Sequence, residues 1–340
     1  MKKTKSAIIP IIIVFAMFIV GSGSGDAFGD SFSMRLTTDT PETMPQGRAA
    51  TWFGEEIMKR IPGSEAKVFN ASSLYNNADS LEAMHSGTLE ASWATLSKIS
   101  GIVPNGLCLR LPSLFSSYEQ VQKIPQTEVG SFISKAAEKK GFVVLAWGNL
   151  SPFIGVGSRE RILNPEDWKG KKIRIYEKHT QLAMVKTMGG NPVVMPWGEF
   201  VPSAQSGVVD AGFTSLSSWG KVKETLPYFT SIGMIPDYYV FMVAKSWWEK
   251  LDADTRKTVQ MTAEEAARKQ MEWQYEKDQV DIEELGTKDP ASPGFYLLSE
   301  EELAPYKETW IEPIRKIIEE KIGKDGPEAL DMTIKLSKEL

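Results

Sequence analysis

The sequence is poor in the residues on which most enzyme chemistry depends. Its 340 residues include one cysteine, Cys108, and two histidines, His85 and His179. A lone cysteine excludes a disulfide framework and any thiolate-rich zinc or iron–sulfur centre. Two histidines leave acid–base catalysis little to work with, because imidazole is the side chain most often used for it. An excess of positive charge is missing as well. The 39 Lys and Arg residues are scattered and stand against 44 Asp and Glu, for a net charge of −5. With no basic stripe to meet a phosphate backbone, a nucleic-acid partner is not expected. Ser72-Ser73 and Ser217-Ser218 lack the G-x-S-x-G setting of a hydrolase nucleophile, and Gly189-Gly190 lacks a nucleotide-loop fingerprint. His85 reads as a helix-end residue, and His179 has no partner triad in view. No reaction centre assembles, so no catalysis, metal or cofactor is expected. A secreted enzyme, the competing class, would need a paired-carboxylate or nucleophile–base geometry that the sequence does not offer.

Long apolar runs are confined to the start of the chain. Lys2, Lys3 and Lys5 precede the run Ala7 to Val20, followed by small residues and Gly25-Asp26-Ala27. This is the pattern of a secretory signal peptide, residues 1–27, cleaved after Ala27. The alternative is a permanent anchor. At about 1.5 Å per residue the run reaches only roughly 21 Å, short of a hydrocarbon core of about 30 Å. The mature chain is therefore expected outside the cytoplasm, where a lone cysteine cannot mispair within its own chain.

The remaining composition, 42% hydrophobic and 24% charged, is that of a globular chain long enough for two domains. Short apolar runs alternate with helical patterns. Strands are predicted at Phe32 to Leu36, Ala66 to Asn70, Phe142 to Trp147, Lys172 to Tyr176, Pro192 to Met195, Val208 to Phe213 and Tyr238 to Ala244. Phe53, Ile57 and Ile61 recur every fourth residue in a helix over Gln46 to Ile61, and Leu81 and Met84 mark another over Asp79 to His85. Strands separated by helices argue for α/β architecture with largely parallel sheets. From Leu251 to Leu285 there is no Gly or Pro, and strong helix formers dominate. Such a helix would reach about 50 Å, longer than a small domain is wide, and reads as a strut across two lobes.

Two kinds of residue are candidates for ligand contact. In Lys172-Ile173-Arg174-Ile175-Tyr176 the alternation puts Arg174 and Tyr176 on the face opposite the isoleucines. The planar fork of an arginine there can grip a carboxylate, although a surface arginine would look the same in sequence. The ten tryptophans are unusually many. Trp93, Trp147, Trp197 and Trp219 adjoin turns or strand ends, where aromatic faces can hold planar or apolar ligands or simply pack a core.

These segments resemble the extracytoplasmic solute-binding subunits of tripartite ATP-independent periplasmic (TRAP) transporters, the DctP-like family. The resemblance rests on an ordered set of motifs. They are Asn164-Pro165-Glu166-Asp167-Trp168-Lys169-Gly170-Lys171-Lys172-Ile173-Arg174, Gly190-Asn191-Pro192-Val193-Val194-Met195-Pro196-Trp197-Gly198-Glu199-Phe200 and Gln205-Ser206-Gly207-Val208-Val209-Asp210. Upstream, Leu109-Arg110-Leu111-Pro112-Ser113-Leu114-Phe115 and Met84-His85-Ser86-Gly87-Thr88-Leu89-Glu90 are similar to family elements. The likeness implies a two-lobed periplasmic-binding-protein fold of α/β class, with a cleft between lobes and a lobe-spanning helix. Lobe I is expected from residues 28–150 plus about 238–285, and lobe II from 151–237 plus about 286–340. It also implies a small organic acid whose carboxylate meets Arg174, delivery to the small and large membrane subunits of a TRAP permease, and a monomer. Trp197 takes the family's aromatic position, and Asp39, Trp93, Thr95 and Lys98 fall on cleft segments. Thr214 stands where sialic-acid binders carry an asparagine, and Ile154 falls by spacing where they carry a second arginine. With Trp93 and Trp219 near Trp197, these departures favour a monocarboxylate with an aromatic or apolar body over a sugar acid or C4-dicarboxylate.

Overall fold

A computed structural model describes residues 30–115 and 117–340, so the expected signal segment lies outside the described residues. Strands β1 (Ser33–Thr38), β2 (Glu65–Phe69), β3 (Ala91–Thr95), β4 (Phe142–Asn149) and β10 (Tyr238–Ala244) form one sheet, in the order β2-β1-β3-β10-β4. The second sheet holds β5 (Phe153–Ser158), β6 (Lys172–Ile175), β7 (Asn191–Val194), β8 (Ala211–Ser215), β9 (Tyr228–Met234) and β11 (Gly294–Leu297), in the order β11-β9-β5-β8-β6-β7. We call the bodies around these sheets lobes I and II.

The sheets are mixed, where the alternation of strands and helices suggested largely parallel ones. β1 runs parallel to β2 and β3, but β10 lies antiparallel between β3 and β4. In the second sheet β6 is parallel to β7 and β8, while β5 is antiparallel to β8 and β9. The reason is the route of the chain. A helical crossover returns a strand parallel to its predecessor. Here β4 passes directly into β5 and β9 directly into β10, so each of these two strands enters the other lobe from the cleft side and runs away from it. Both are buried at every position, and Tyr-Tyr-Val-Phe-Met-Val-Ala in β10 has no alternation because both of its faces are covered.

The third link is the 33-residue helix Ala253–Leu285. The Asp252 side chain caps it by accepting from the backbone N–H groups of Asp254 and Thr255. It packs on helix Pro45–Arg60 and β4 in lobe I and on the turn Leu216–Trp219 and β11 in lobe II. A polar stripe along its buried face holds the junction. Gln270 pairs with both backbone groups of Asn149, donating at 2.7 Å and accepting at 2.7 Å. The approach is close: a Cβ at Gly148 would lie 2.3 Å from the Gln270 Oε1, so a side chain there would push the Gln270 amide out of this pairing. One and two turns on, Gln274 accepts from Gln46 at 2.8 Å and donates to Asp278 at 2.9 Å. The Asp278 carboxylate also accepts from the hydroxyls of Tyr118 and Ser217. Burial pushes its pKa up to about 6. No helix among the described residues is long and apolar enough to cross a membrane.

Candidate functional site

Between the lobes lies a cavity of about 600 Å³, within the size range of small-molecule sites. It is built from the carboxyl ends of parallel strands in both sheets, where α/β folds place their ligands. Lobe I contributes Asp39 after β1, Asn77 at the head of helix Asn77–His85, Thr95 and Lys98 at and after β3, and Asp237 and Tyr239 where β10 begins. Lobe II contributes Arg174 and Tyr176 from the end of β6, Trp197 after β7, and Thr214 and Ser215 from β8. Helices Pro45–Arg60, Asn77–His85 and Trp197–Gln205 all begin near this rim. Their amino-terminal dipoles add to the attraction for an anion.

Arg174 is the most distinctive group in the wall. The alternation of β6 sends Ile173 and Ile175 into the lobe II core and Arg174 to the other face. Its side chain is 3% exposed and is held by two backbone carbonyls: Nε donates to Met195 O at 3.1 Å and Nη1 to Phe213 O at 2.7 Å. Three rings surround the guanidinium, with its carbon 5.0 Å from the centroids of Tyr176 and Phe200 and 5.9 Å from that of Trp197. Arg174 is absent from the ion pairs of the described residues. Burial pushes its pKa down to about 10. A rigid, desolvated cation with no acid beside it is a receptor for an anion.

The lobe I wall is polar. Lys98 Nζ donates to the backbone O of Tyr176 at 3.1 Å, and burial lowers its pKa. Asp39 accepts from the Tyr239 hydroxyl at 3.0 Å and from Asn77 Nδ2 at 2.7 Å. From this wall, Asp237 forms a buried ion pair with Arg110 behind it at 2.8 Å, with exposures of 1% and 0%. Asp237 Oδ1 also accepts from Ser97 N at 3.0 Å. Burial opposes the charge on Arg110, and Asp237, Tyr176 and Glu177 around it more than offset that.

Of the residues singled out in the sequence, Arg174, Trp197, Thr214, Thr95 and Asp39 all line this one cavity. Trp93 and Trp219 do not. Trp93 is fully buried in the lobe I core, stacked 5.1 Å from Phe241, with its indole N–H donating to Tyr239 O. Trp219 is buried in lobe II against Phe229 and donates to Leu226 O at 2.7 Å. Trp147 likewise packs in the lobe I core. An indole whose N–H is already spent on a buried carbonyl is fixed as core, which is why position near a strand end misled. Ile154 also points into the lobe II core, so its apolar character says nothing about the ligand. The expectation of an apolar ligand body thus loses most of its support. Sequence reasoning missed Asn77, Ser215, Asp237 and Tyr239, whose only local signal was their place at strand and helix ends.

Comparison with known proteins agrees with this geometry. Residues 36–321 match the profile of the bacterial extracellular solute-binding proteins, family 7. The C4-dicarboxylate-binding periplasmic protein DctP of Rhodobacter capsulatus is 28% identical over 297 residues, 86% of each chain. The 2,3-diketo-L-gulonate-binding periplasmic protein YiaO of Escherichia coli is 28% identical over 204 residues, 58% of this chain and 61% of that one. A TRAP periplasmic solute-binding protein from Sulfurospirillum deleyianum, solved with bound succinate, is 26% identical with a TM-score of 0.77, covering 89% of this chain and 99% of that one. With most of its length matched and both lobes shared, the chain belongs to the bacterial extracellular solute-binding proteins of family 7, the binding subunits of TRAP transporters.

Proposed function

We propose that the protein, as a monomer in the periplasm, captures an oxygen-rich organic acid between its lobes and passes it to the small and large membrane subunits of a TRAP permease. The observation that carries this reading is Arg174, a buried guanidinium in the cavity wall whose hydrogen-bond partners among the described residues are two backbone carbonyls. The polar character of the ligand body is supported by the lining: Asp39, Asn77, Thr95, Thr214 and Ser215 offer hydrogen bonds, and Trp197 is the one tryptophan present. Contacts from both lobes would draw an open population toward a closed one.

A ligand at 100 times its dissociation constant stabilises the folded state by about 2.7 kcal/mol, which a thermal-shift panel detects. Uronates, C4-dicarboxylates, aliphatic keto acids and aromatic acids should be compared with their uncharged alcohols and amides. Stabilisation is expected from at least one oxygen-rich acid and from none of the uncharged analogues. A response to aromatic acids alone would restore the apolar reading, and silence from every carboxylate would remove the proposal. Export is tested separately. Intact mass of protein recovered from a bacterial periplasm is expected to correspond to a chain beginning at Phe28, and a retained Met1 with membrane association would contradict it.

A further inference from the structure

We infer that Asp39 sets the class of ligand: it accepts a hydrogen bond from a hydroxyl or ammonium on the body of a monocarboxylate and disfavours a second carboxylate. This rests on the proposed carboxylate site at Arg174 and adds the chemistry of the opposite wall. Asp39 stands at the end of β1 in lobe I, across the cavity from the lobe II arginine. Its two oxygens are each held by a neutral donor, Oδ1 by the Tyr239 hydroxyl and Oδ2 by Asn77 Nδ2. Both donors are buried, and Asn77 is further braced by Thr95 Oγ1 at 3.4 Å, so the carboxylate is fixed in direction. Each oxygen of a carboxylate can accept more than one hydrogen bond, and acceptor capacity remains for the cavity side.

The cavity therefore holds the cations Arg174 and Lys221 on one lobe and, on the other, the Asp39 carboxylate, none of them in an ion pair among the described residues. Burial already raises the pKa of Asp39, and Asp237 nearby adds to it. A second carboxylate brought beside it would compound the repulsion, whereas a ligand hydroxyl or ammonium would relieve it. A site built to bond a ligand donor also rejects the analogue that lacks one, because its own acceptor is then left desolvated. Lys98 and Lys221 are the lining groups that would favour a dianion. The Lys98 ammonium, however, is engaged by the Tyr176 carbonyl and feels the negative charges of Asp237 and Asp39. Lys221 belongs to lobe II, whereas Asp39 stands on lobe I.

Calorimetry with D-glucuronate, succinate and L-glutamine separates the two arms of this chemistry and its rival. Wild-type protein is expected to prefer glucuronate or glutamine to succinate by tenfold or more, and which of the two it takes tells whether the donor is hydroxyl or ammonium. Asp39→Asn should shrink that preference at least tenfold, and Asp39→Glu, which keeps the charge, should lose affinity but retain discrimination against succinate. Circular dichroism and melting of both variants check that they fold. Succinate bound as tightly as the donor-bearing acids, or an unchanged ratio in Asp39→Asn, overturns the role of Asp39 while leaving Arg174 in place. Failure of the wild type to bind any acid, or unaltered binding in Arg174→Ala, takes down the carboxylate site itself and the inference with it.

Discussion

Replacing Arg174 by alanine is expected to weaken acid binding by about 30-fold to several thousand-fold, the equivalent of roughly 2–5 kcal/mol. The size follows from burial. Arg174 sits at 3% exposure, and a ligand carboxylate seated against it would be equally dry once the lobes close. Truncation leaves that carboxylate without its counter-charge in a place water cannot reach. Arg174→Lys should also bind poorly, because an ammonium cannot reproduce the parallel donors of the guanidinium or its fit among Tyr176, Phe200 and Trp197. Titration calorimetry on a ligand identified by the thermal panel gives both numbers. Wild-type affinity in Arg174→Ala would place the carboxylate elsewhere in the cavity.

The second large effect is on stability. Asp237→Ala strips the counter-charge from Arg110, which is fully buried, and breaking such a pair costs about 3–5 kcal/mol. Arg110→Ala should cost a similar amount for the complementary reason. The double replacement Arg110→Met with Asp237→Leu removes both charges and is expected to recover most of the loss, because apolar side chains of similar volume often replace a buried pair without penalty. Denaturant unfolding of the three variants tests this. Single variants within about 1 kcal/mol of the wild type would show that the pair is dispensable. The double variant should still bind ligand poorly. Asp237 lines the cavity and its carboxylate accepts from Ser97 N, a bond that leucine cannot make.

How legible this was in the sequence depends on the strand. β10 coincided with its predicted bounds because seven apolar residues in a row admit few readings. The long helix was equally clear, since nothing between Leu251 and Leu285 interrupts it. β3, Ala-Ser-Trp-Ala-Thr, gave no strand signal: apart from Trp93 its residues are small or polar, and it is flanked by β1 and β10. β5 was obscured by Gly155 and Gly157, which suit close packing and carry no hydrophobic pattern. At the site, Arg174 could be placed on the correct face of its strand by alternation alone. Its lack of an acid partner could not be read, because that depends on Met195 and Phe213, which come from other strands and loops. The tryptophans show the converse, since an indole near a strand end looks the same in sequence whether it faces ligand or core.

The position of β10 in the first sheet has a consequence for how the chain acquires its shape. β10 is the middle partner that joins β3 to β4, yet it follows the whole of β5 to β9 in sequence. A nascent or refolding chain that has formed everything up to Asn149 therefore still has a gap where two ladders of backbone hydrogen bonds belong. Lobe I cannot mature before most of lobe II exists, and closing so long a loop for a central strand makes the search slow. Completion of lobe I is consequently tied to the folding of the segment inserted into it. A cut at Leu150 would yield two sticky fragments with open strand edges, and neither would be a working half.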